Sequence, residues 1–322
     1  MFHYDRGLML TRADLAVDAR RRMPRGFISH AHNDHMGRHE LAFCTPATGK
    51  LFQHRLGPHR VFELPFHTPI EWGGLRLTTF PAGHCLGAAM LLAEDGEQSL
   101  LYTGDFKLRE SATSPQAELP RADILVLEST YGQPQYRFAA RKFLVEQLLE
   151  LVRGALKVGQ TPIIEAYALG KAQEVTKLLT SAGIPVLQHA SVFAISQVYE
   201  ACGVELGAVG LFDGLPIEGH AVVVPPGKHR GSGSHGIRRP FRIAVTGWAL
   251  DAGSRYRYGY DGAVPLSDHA DFDELLEAVE RVEAREIYCT HGPESFVDEL
   301  RRRGFNAYRL EAPRAAVERM LF

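Results

Sequence analysis

Cysteine is scarce in this 322-residue chain: Cys44, Cys85, Cys202 and Cys289 stand far apart, and none forms a CxxC pair. That spacing argues against a disulfide framework and against a cysteine-based zinc site, and it makes a reducing cytoplasm the expected setting. Long apolar runs are also missing. Ile124–Leu127 and Ala221–Val224 have strand length, far below the roughly 20 residues of a membrane span, so no membrane partner is expected. Met1 to Arg22 mixes charges throughout and has no apolar stretch of the secretory kind. There is no internal repeat and no low-complexity tract. A net charge of −2 excludes a general polycation. It argues only weakly against nucleic acid, because charge distribution matters more than the sum. Basic residues gather at Arg20–Arg22 with Arg25, at Lys228 to Arg242 around the Gly/Ser-rich loop 227–236, and at Arg301–Arg303. For any one cluster, plain solvated surface is the competing explanation.

What is present is a core: 45% of residues are hydrophobic and 23% charged, as in an ordinary globular protein. Up to about residue 130 the pattern is of short strands and turns. Gly26–Ser29 reads as a buried strand stopping at His30, Leu75–Phe80 as a half-buried strand, and residues 91–93 and 99–103 as a hairpin around Glu94–Glu97. Ile124–Leu127 is another buried strand, ending at Glu128. After Tyr131 strands alternate with helices: helix 138–156, strand 162–167, helix 171–180, strand 185–188, helix 191–201, and strands at 222–224 and 243–246. That rhythm predicts a parallel α/β sheet. A helix over 274–282 and a strand over 286–289 follow.

Ligand-type side chains fall at the ends of these strands. His30, His32, Asp34 and His35 crowd into six residues directly after a strand, which favours metal binding over an assortment of ordinary histidines. His84 in Pro81-Ala82-Gly83-His84, Asp105 in Thr103-Gly104-Asp105 and His291 in Thr290-His291-Gly292 repeat the placement. Each alone is weak, but the ordered series is strong. Imidazole with carboxylate suits zinc and, with more oxygen, manganese.

The series HAHNDH, AGHCLG, TGD and THG resembles the metallo-β-lactamase superfamily. That resemblance implies a four-layer αβ/βα sandwich holding two divalent metals. His30, His32 and His84 would take the first metal, and Asp34, His35 and His291 the second, with Asp105 bridging. Asp18 would orient a ligand histidine from behind, with Asp14 competing for that role. Zinc is the structural expectation and manganese the alternative for turnover.

Three further features concern the branch and its substrate. Glu128 ends a strand where the α/β stretch begins, His269 in LSDHAD follows that stretch, and Tyr167–Glu174 forms a strand–Gly–helix junction. At the junction, free helix amides at Gly170 together with Lys171 could hold a phosphate. These features resemble the β-CASP nucleases, in which an inserted domain clamps nucleic acid. The phrases YALGKAQ, TGW, LSDHAD and THG are most similar to the bacterial DNA-ligase-associated exonuclease group. The resemblance implies a metallo-β-lactamase domain at 1–130 and 262–322 and a β-CASP insertion at 131–261. It implies a two-metal phosphodiesterase that trims DNA, single-stranded and repair-associated, in functional association with a DNA ligase. Metal-activated hydroxide would attack phosphorus. Asp34, Glu128 and His269 form the candidate catalytic set, with His269 as general acid or phosphate ligand. Tyr131 and Tyr167 could stack on a strand or pack internally. Blander roles stay open: Glu128 as a cap or surface carboxylate, Lys171 as a solvated residue, His269 as a structural histidine bonded to Asp268 or Asp271. The alternatives for function are an RNA-processing nuclease, a small-molecule thioester or lactone hydrolase, and an inactive nucleic-acid-binding scaffold.

Overall fold

The structure, a computed structural model, describes residues 1–4, 7–227, 237, 239–250 and 259–310. The basic loop 227–236 lies, apart from Gly227, outside the described residues. Three sheets organise the chain. The first runs β1 (Phe2–Tyr4), β2 (Leu8–Leu10), β3 (Leu15–Val17), β4 (Arg25–Phe27), β5 (Leu41–Cys44) and β6 (Val61–Glu63), in that spatial order. The second holds β7 (Ile70–Trp72), β8 (Leu75–Pro81), β9 (Ala89–Glu94), β10 (Ser99–Tyr102) and β11 (Ile124–Glu128), and is extended beyond β11 by β18 (Glu286–Thr290) and β19 (Ala307–Arg309). Strands β8, β9 and β10 pair antiparallel, while β10, β11, β18 and β19 pair parallel.

Alternation along the strands explains the layering. Ile124 and Val126 of β11, with Leu91 and Ala93 of β9, meet Leu10, Leu15, Phe27 and Phe43 of the first sheet in one core. The opposite faces, Leu125 and Leu127 of β11 and Ala42 and Cys44 of β5, pack beneath helices. Helix Pro46–Leu56 supplies Leu51 and Phe52, helix Phe272–Val282 supplies Leu275 and Val279, and helix Glu294–Arg302 supplies Phe296 and Leu300. The result is helix, sheet, sheet, helix, the four layers that the motif resemblance implies.

The third sheet is wholly parallel, in the order β14 (Val209–Leu211), β13 (Val186–Gln188), β15 (Ala221–Val224), β12 (Thr161–Glu165), β16 (Pro240–Val245) and β17 (Gly262–Val264). Its strands are buried on both faces, Ile164, Val223 and Ile243 on one side and Ile163, Val222 and Val224 on the other, as parallel strands between helices are. Helix Arg141–Lys157 leads into β12, and helices Lys171–Ser181 and Ala190–Ala201 connect β12 to β13 and β13 to β14. The sequence reading returned the chain to the first domain at residue 262. Strand β17 begins at that point and hydrogen-bonds along β16, so the parallel sheet itself runs through Val264.

Candidate metal centre

Every expected ligand sits just past the carboxyl end of a strand. His30, His32, Asp34 and His35 follow β4, His84 lies between β8 and β9, Asp105 follows β10, Glu128 closes β11 and His291 follows β18. Adjacent strands end on one edge, so residues far apart in sequence meet there. Gly104 shows how tight the packing is: it has φ 54°, and a Cβ would lie 2.8 Å from the side chain of Ser29. Only glycine lets the chain turn there and deliver Asp105.

His30 Nε2 lies 3.0 Å and His84 Nε2 3.1 Å from His32 Nδ1. Asp105 Oδ2 is 3.4 Å from His30 Nε2, 3.3 Å from His35 Nε2 and 3.9 Å from His84 Nε2. Among the clusters of donors that result, two are made wholly of the expected ligands, His30, His32, His84 and Asp105 in one and His35, Asp105 and His291 in the other, each with its ligand atoms within 4.8 Å of one another. Asp105 belongs to both. Asp34 is less closely engaged: its side chain is 66% exposed, with a carboxylate oxygen 3.9 Å from His35 Nε2. It lines the same cavity.

The outward nitrogens fix which way the lone pairs point. His84 Nδ1 lies 2.8 Å from the carbonyl of Asp268 and His32 Nε2 3.1 Å from that of Leu169. A carbonyl only accepts, so those nitrogens carry the protons. Ser29 Oγ donates to Asp18 at 2.5 Å and so accepts from His30 Nδ1 at 2.9 Å. His35 Nδ1 meets Asp18 Oδ2 at 2.7 Å. Each ring therefore turns a bare nitrogen inward. Lone pairs converging at such distances repel unless a cation lies among them, so the donor set fits divalent metal, zinc foremost. The titration pattern agrees for three of the four rings. Burial holds His30, His32 and His84 below the ordinary imidazole range, His84 down to about 3, and so keeps them neutral. Burial alone would raise Asp105, but His35 and His269 outweigh it and hold the carboxyl well down. Burial pulls His35 down too, yet Asp105 and Asp18 raise it well above its usual value. A carboxylate that draws a proton onto a buried imidazole is short of positive charge, which a cation supplies.

Asp18, not Asp14, stands behind the ligands. It takes hydrogen bonds from Ser29 N at 2.7 Å and from the Tyr102 hydroxyl at 2.8 Å, besides those of Ser29 Oγ and His35. Asp14 is exposed and pairs with Arg25. Glu128 is buried: Oε1 accepts from His269 Nδ1 at 3.0 Å and Phe106 N at 3.3 Å, and Oε2 from Thr130 N at 3.1 Å. His269 is held from its C-terminal side by the cap of helix Phe272–Val282, where Asp271 accepts from the amides of Asp273 and Glu274. Burial would lower His269, but Glu128 and Asp105 prevail and lift it to about 10.

At the phosphate cradle expected at Gly170 and Lys171, the chain itself takes up two of the amides, although Lys171 lines the cavity. Gly170 N donates to Gln173 Oε1 at 2.9 Å and Ala172 N to the carbonyl of Tyr167 at 3.0 Å, so these amides are already engaged. Lys171 is fully buried, with its ammonium 3.5 Å from Asp268 and 3.8 Å from Glu174. It belongs to an internal charge network with Lys107 and Arg141, both on Glu174. Sequence reading missed that network, since lysine and arginine look like surface until their partners are known. It also missed Arg55, which bonds the Ala31 carbonyl and Asn33 Oδ1, and Trp248. Both line the cavity of about 650 Å³ above the donors.

Residues 263–311 match the family described as "Zn-dependent metallo-hydrolase RNA specificity domain". The chain is 35% identical over 309 residues, 95% of its length, to a protein of Opitutus terrae named "Probable DNA ligase", of which the match covers 30%. It is 33% identical over 148 residues, 45% of its length, to Endoribonuclease YSH1 of Yarrowia lipolytica, covering 18% of that protein. It thus spans a third or less of these curated relatives. The crystal structure of a protein of unknown function from Enterococcus faecalis V583 has the same fold, with a TM-score of 0.58 at 13% identity over 83% of this chain and 75% of that one. Likeness along nearly the whole chain, the match in its returning segment and the four layers with a parallel insertion make it similar to the β-CASP proteins of the metallo-β-lactamase fold.

Proposed function

We propose that the chain is a metal-dependent nuclease that trims single-stranded DNA from an end in repair, with the third-sheet unit as its clamp. The observation that carries the phosphodiesterase reading is the Glu128–His269 pair at 3.0 Å. It lies beside the donor groups, with Asp105 Oδ2 4.0 Å from His269 Nδ1. A thioester or lactone hydrolase has no need of such a pair. Two divalent cations in the donor groups would supply Lewis acidity and an activated water. Glu128 accepts the Nδ1 proton of His269 and leaves Nε2 as the nitrogen for substrate. The Glu128 carboxylate favours the protonated imidazole of His269, and its Nε2–H can protonate the leaving oxygen or hold a phosphoryl oxygen. Arg55, fixed by Ala31 and Asn33, adds positive charge to the cavity wall.

DNA as substrate, and association with a DNA ligase, are favoured by the name of the relative matched along 95% of the chain. A specific observation favours a second reading, RNA processing: the family description names RNA specificity, and Endoribonuclease YSH1 is a relative over 45% of the chain. The test is a timed digest of end-labelled DNA and RNA of one sequence, with zinc or manganese, using wild type and Asp34→Ala. Mononucleotides released from DNA by wild type alone are expected. Cleavage of RNA only would overturn the DNA reading, and internal bands would overturn the exonuclease reading.

A further inference from the structure

The third sheet carries a second feature at the same cavity. In its order β15, β12, β16, β17, the chain leaves β12 toward β13 on one side and leaves β16 toward β17 on the other. The connections diverge between β12 and β16, and in open parallel sheets that divergence opens a crevice at the carboxyl ends, the usual place for a ligand. Tyr167 follows β12 and Trp248 follows β16, so the two aromatics flank this crevice. Both line the cavity that contains His32, Asp105 and His269.

Both are also more exposed than large aromatics ordinarily are, Tyr167 at 51% and Trp248 at 46%. Trp248 is nonetheless held in place. Its ring packs on Tyr131 with centroids 4.8 Å apart and on Tyr136 at 5.4 Å. Gly247 permits this approach, because a Cβ there would lie 2.4 Å from the Tyr131 hydroxyl. Tyr131 in turn touches His269, with ring centroids 6.1 Å apart. A rigid, half-exposed indole two ring contacts from the proposed acid is built to receive a flat apolar ligand.

We propose that Trp248 and Tyr167 form a stacking subsite for an unpaired nucleobase adjoining the phosphodiester at the metal centre, an inference that rests on the nuclease reading. A paired base hides both faces in the duplex, so such a subsite selects single strands. It is tolerant of sequence, because every base offers a π face.

The test separates base from backbone. Two single-stranded oligonucleotides of equal length and charge are compared, one with bases throughout and one abasic at the three terminal positions. Each is made cleavable for kinetics and with phosphorothioate linkages for binding. Stacking of roughly 1–3 kcal/mol per base corresponds to about 5- to 150-fold in affinity. Wild type should therefore show a KM about tenfold or more lower for the base-bearing strand. Trp248→Ala should lose that difference in KM between the two strands, and Trp248→Phe should restore it. Trp72 and Trp248 are the two tryptophans of the chain. The base-bearing phosphorothioate should quench wild-type fluorescence, the abasic one should not, and Trp248→Phe should remove the effect. Equal quenching by both strands, or none by either, would overturn the subsite. Failure of wild type to cleave any oligonucleotide would instead overturn the nuclease reading.

Discussion

Glu128 Oε1 and His269 Nδ1 lie 3.0 Å apart although 141 positions separate them in sequence. One closes the last strand before the insertion and the other follows the insertion, so the pair joins the two points where the chain leaves and re-enters the sandwich. On the proposed nuclease reading, substrate chemistry lies at this seam, beside the imidazoles that would hold metal. His269→Ala should lower kcat by about 10²- to 10⁴-fold while bound metal, measured by elemental analysis, is unchanged. Glu128→Gln should move the same way by a smaller factor. Full activity in both variants would remove the pair from the mechanism.

Asp105 belongs to both donor groups, so Asp105→Asn should cost more metal than loss of any one imidazole. Metal content per chain is the readout, with His84→Ala for comparison. A chelator should abolish turnover and lower the Tm of wild type, because bare nitrogens are left facing one another. Retention of full metal by Asp105→Asn would contradict the shared position.

Asp18 touches His35 and Ser29, not the cavity. Asp18→Asn should weaken metal affinity by roughly 10- to 100-fold, the usual effect of losing a group that orients a ligand. Competition with a chromophoric chelator measures this. An affinity within twofold of wild type would mean that the ligands hold their orientation unaided.

Glu174 is buried with Lys107 at 3.4 Å, Arg141 at 2.8 Å and Lys171 at 3.8 Å. Removing one partner of a buried pair leaves uncompensated charge, so Lys107→Met should destabilise the fold by about 3 kcal/mol in denaturant titrations. Burial would raise the Glu174 carboxyl, but Lys107 and Lys171 prevail and hold it down at about 2. A depressed carboxyl contributes stability that is complete above its ordinary value near 4.5 and is lost as pH falls toward about 2. Between pH 5 and pH 3 wild type should therefore lose more stability than Glu174→Gln. Parallel losses would show that the carboxylate is not held down.

Ligand positions were legible because metal coordination uses few residue types and strand ends place them in a recognisable order. His30, His32, His84, Asp105, His35 and His291 converge where the motifs suggested, and the alternation of strands and helices after Tyr131 announced a parallel sheet. Local signals were poorer wherever the partner lay far away. Lys171 follows a glycine at a helix start, which resembles a phosphate site. Only folding shows that Gln173 occupies the Gly170 amide and that the lysine faces Asp268. The edge of the third sheet is hard to read locally for a similar reason, since β17 is three residues long and its membership depends on pairing with β16.

The bond between His32 Nε2 and the Leu169 carbonyl at 3.1 Å bears on how this architecture can be rearranged. Leu169 belongs to the insertion and His32 to the sandwich, so the inserted unit settles the tautomer of a residue in the metal site. An insertion that only covered a substrate could be exchanged between relatives like a cassette. This one cannot be grafted freely: a replacement lacking a carbonyl at that place would leave His32 able to turn its protonated nitrogen inward. A chimera of that kind would fold and still load metal poorly.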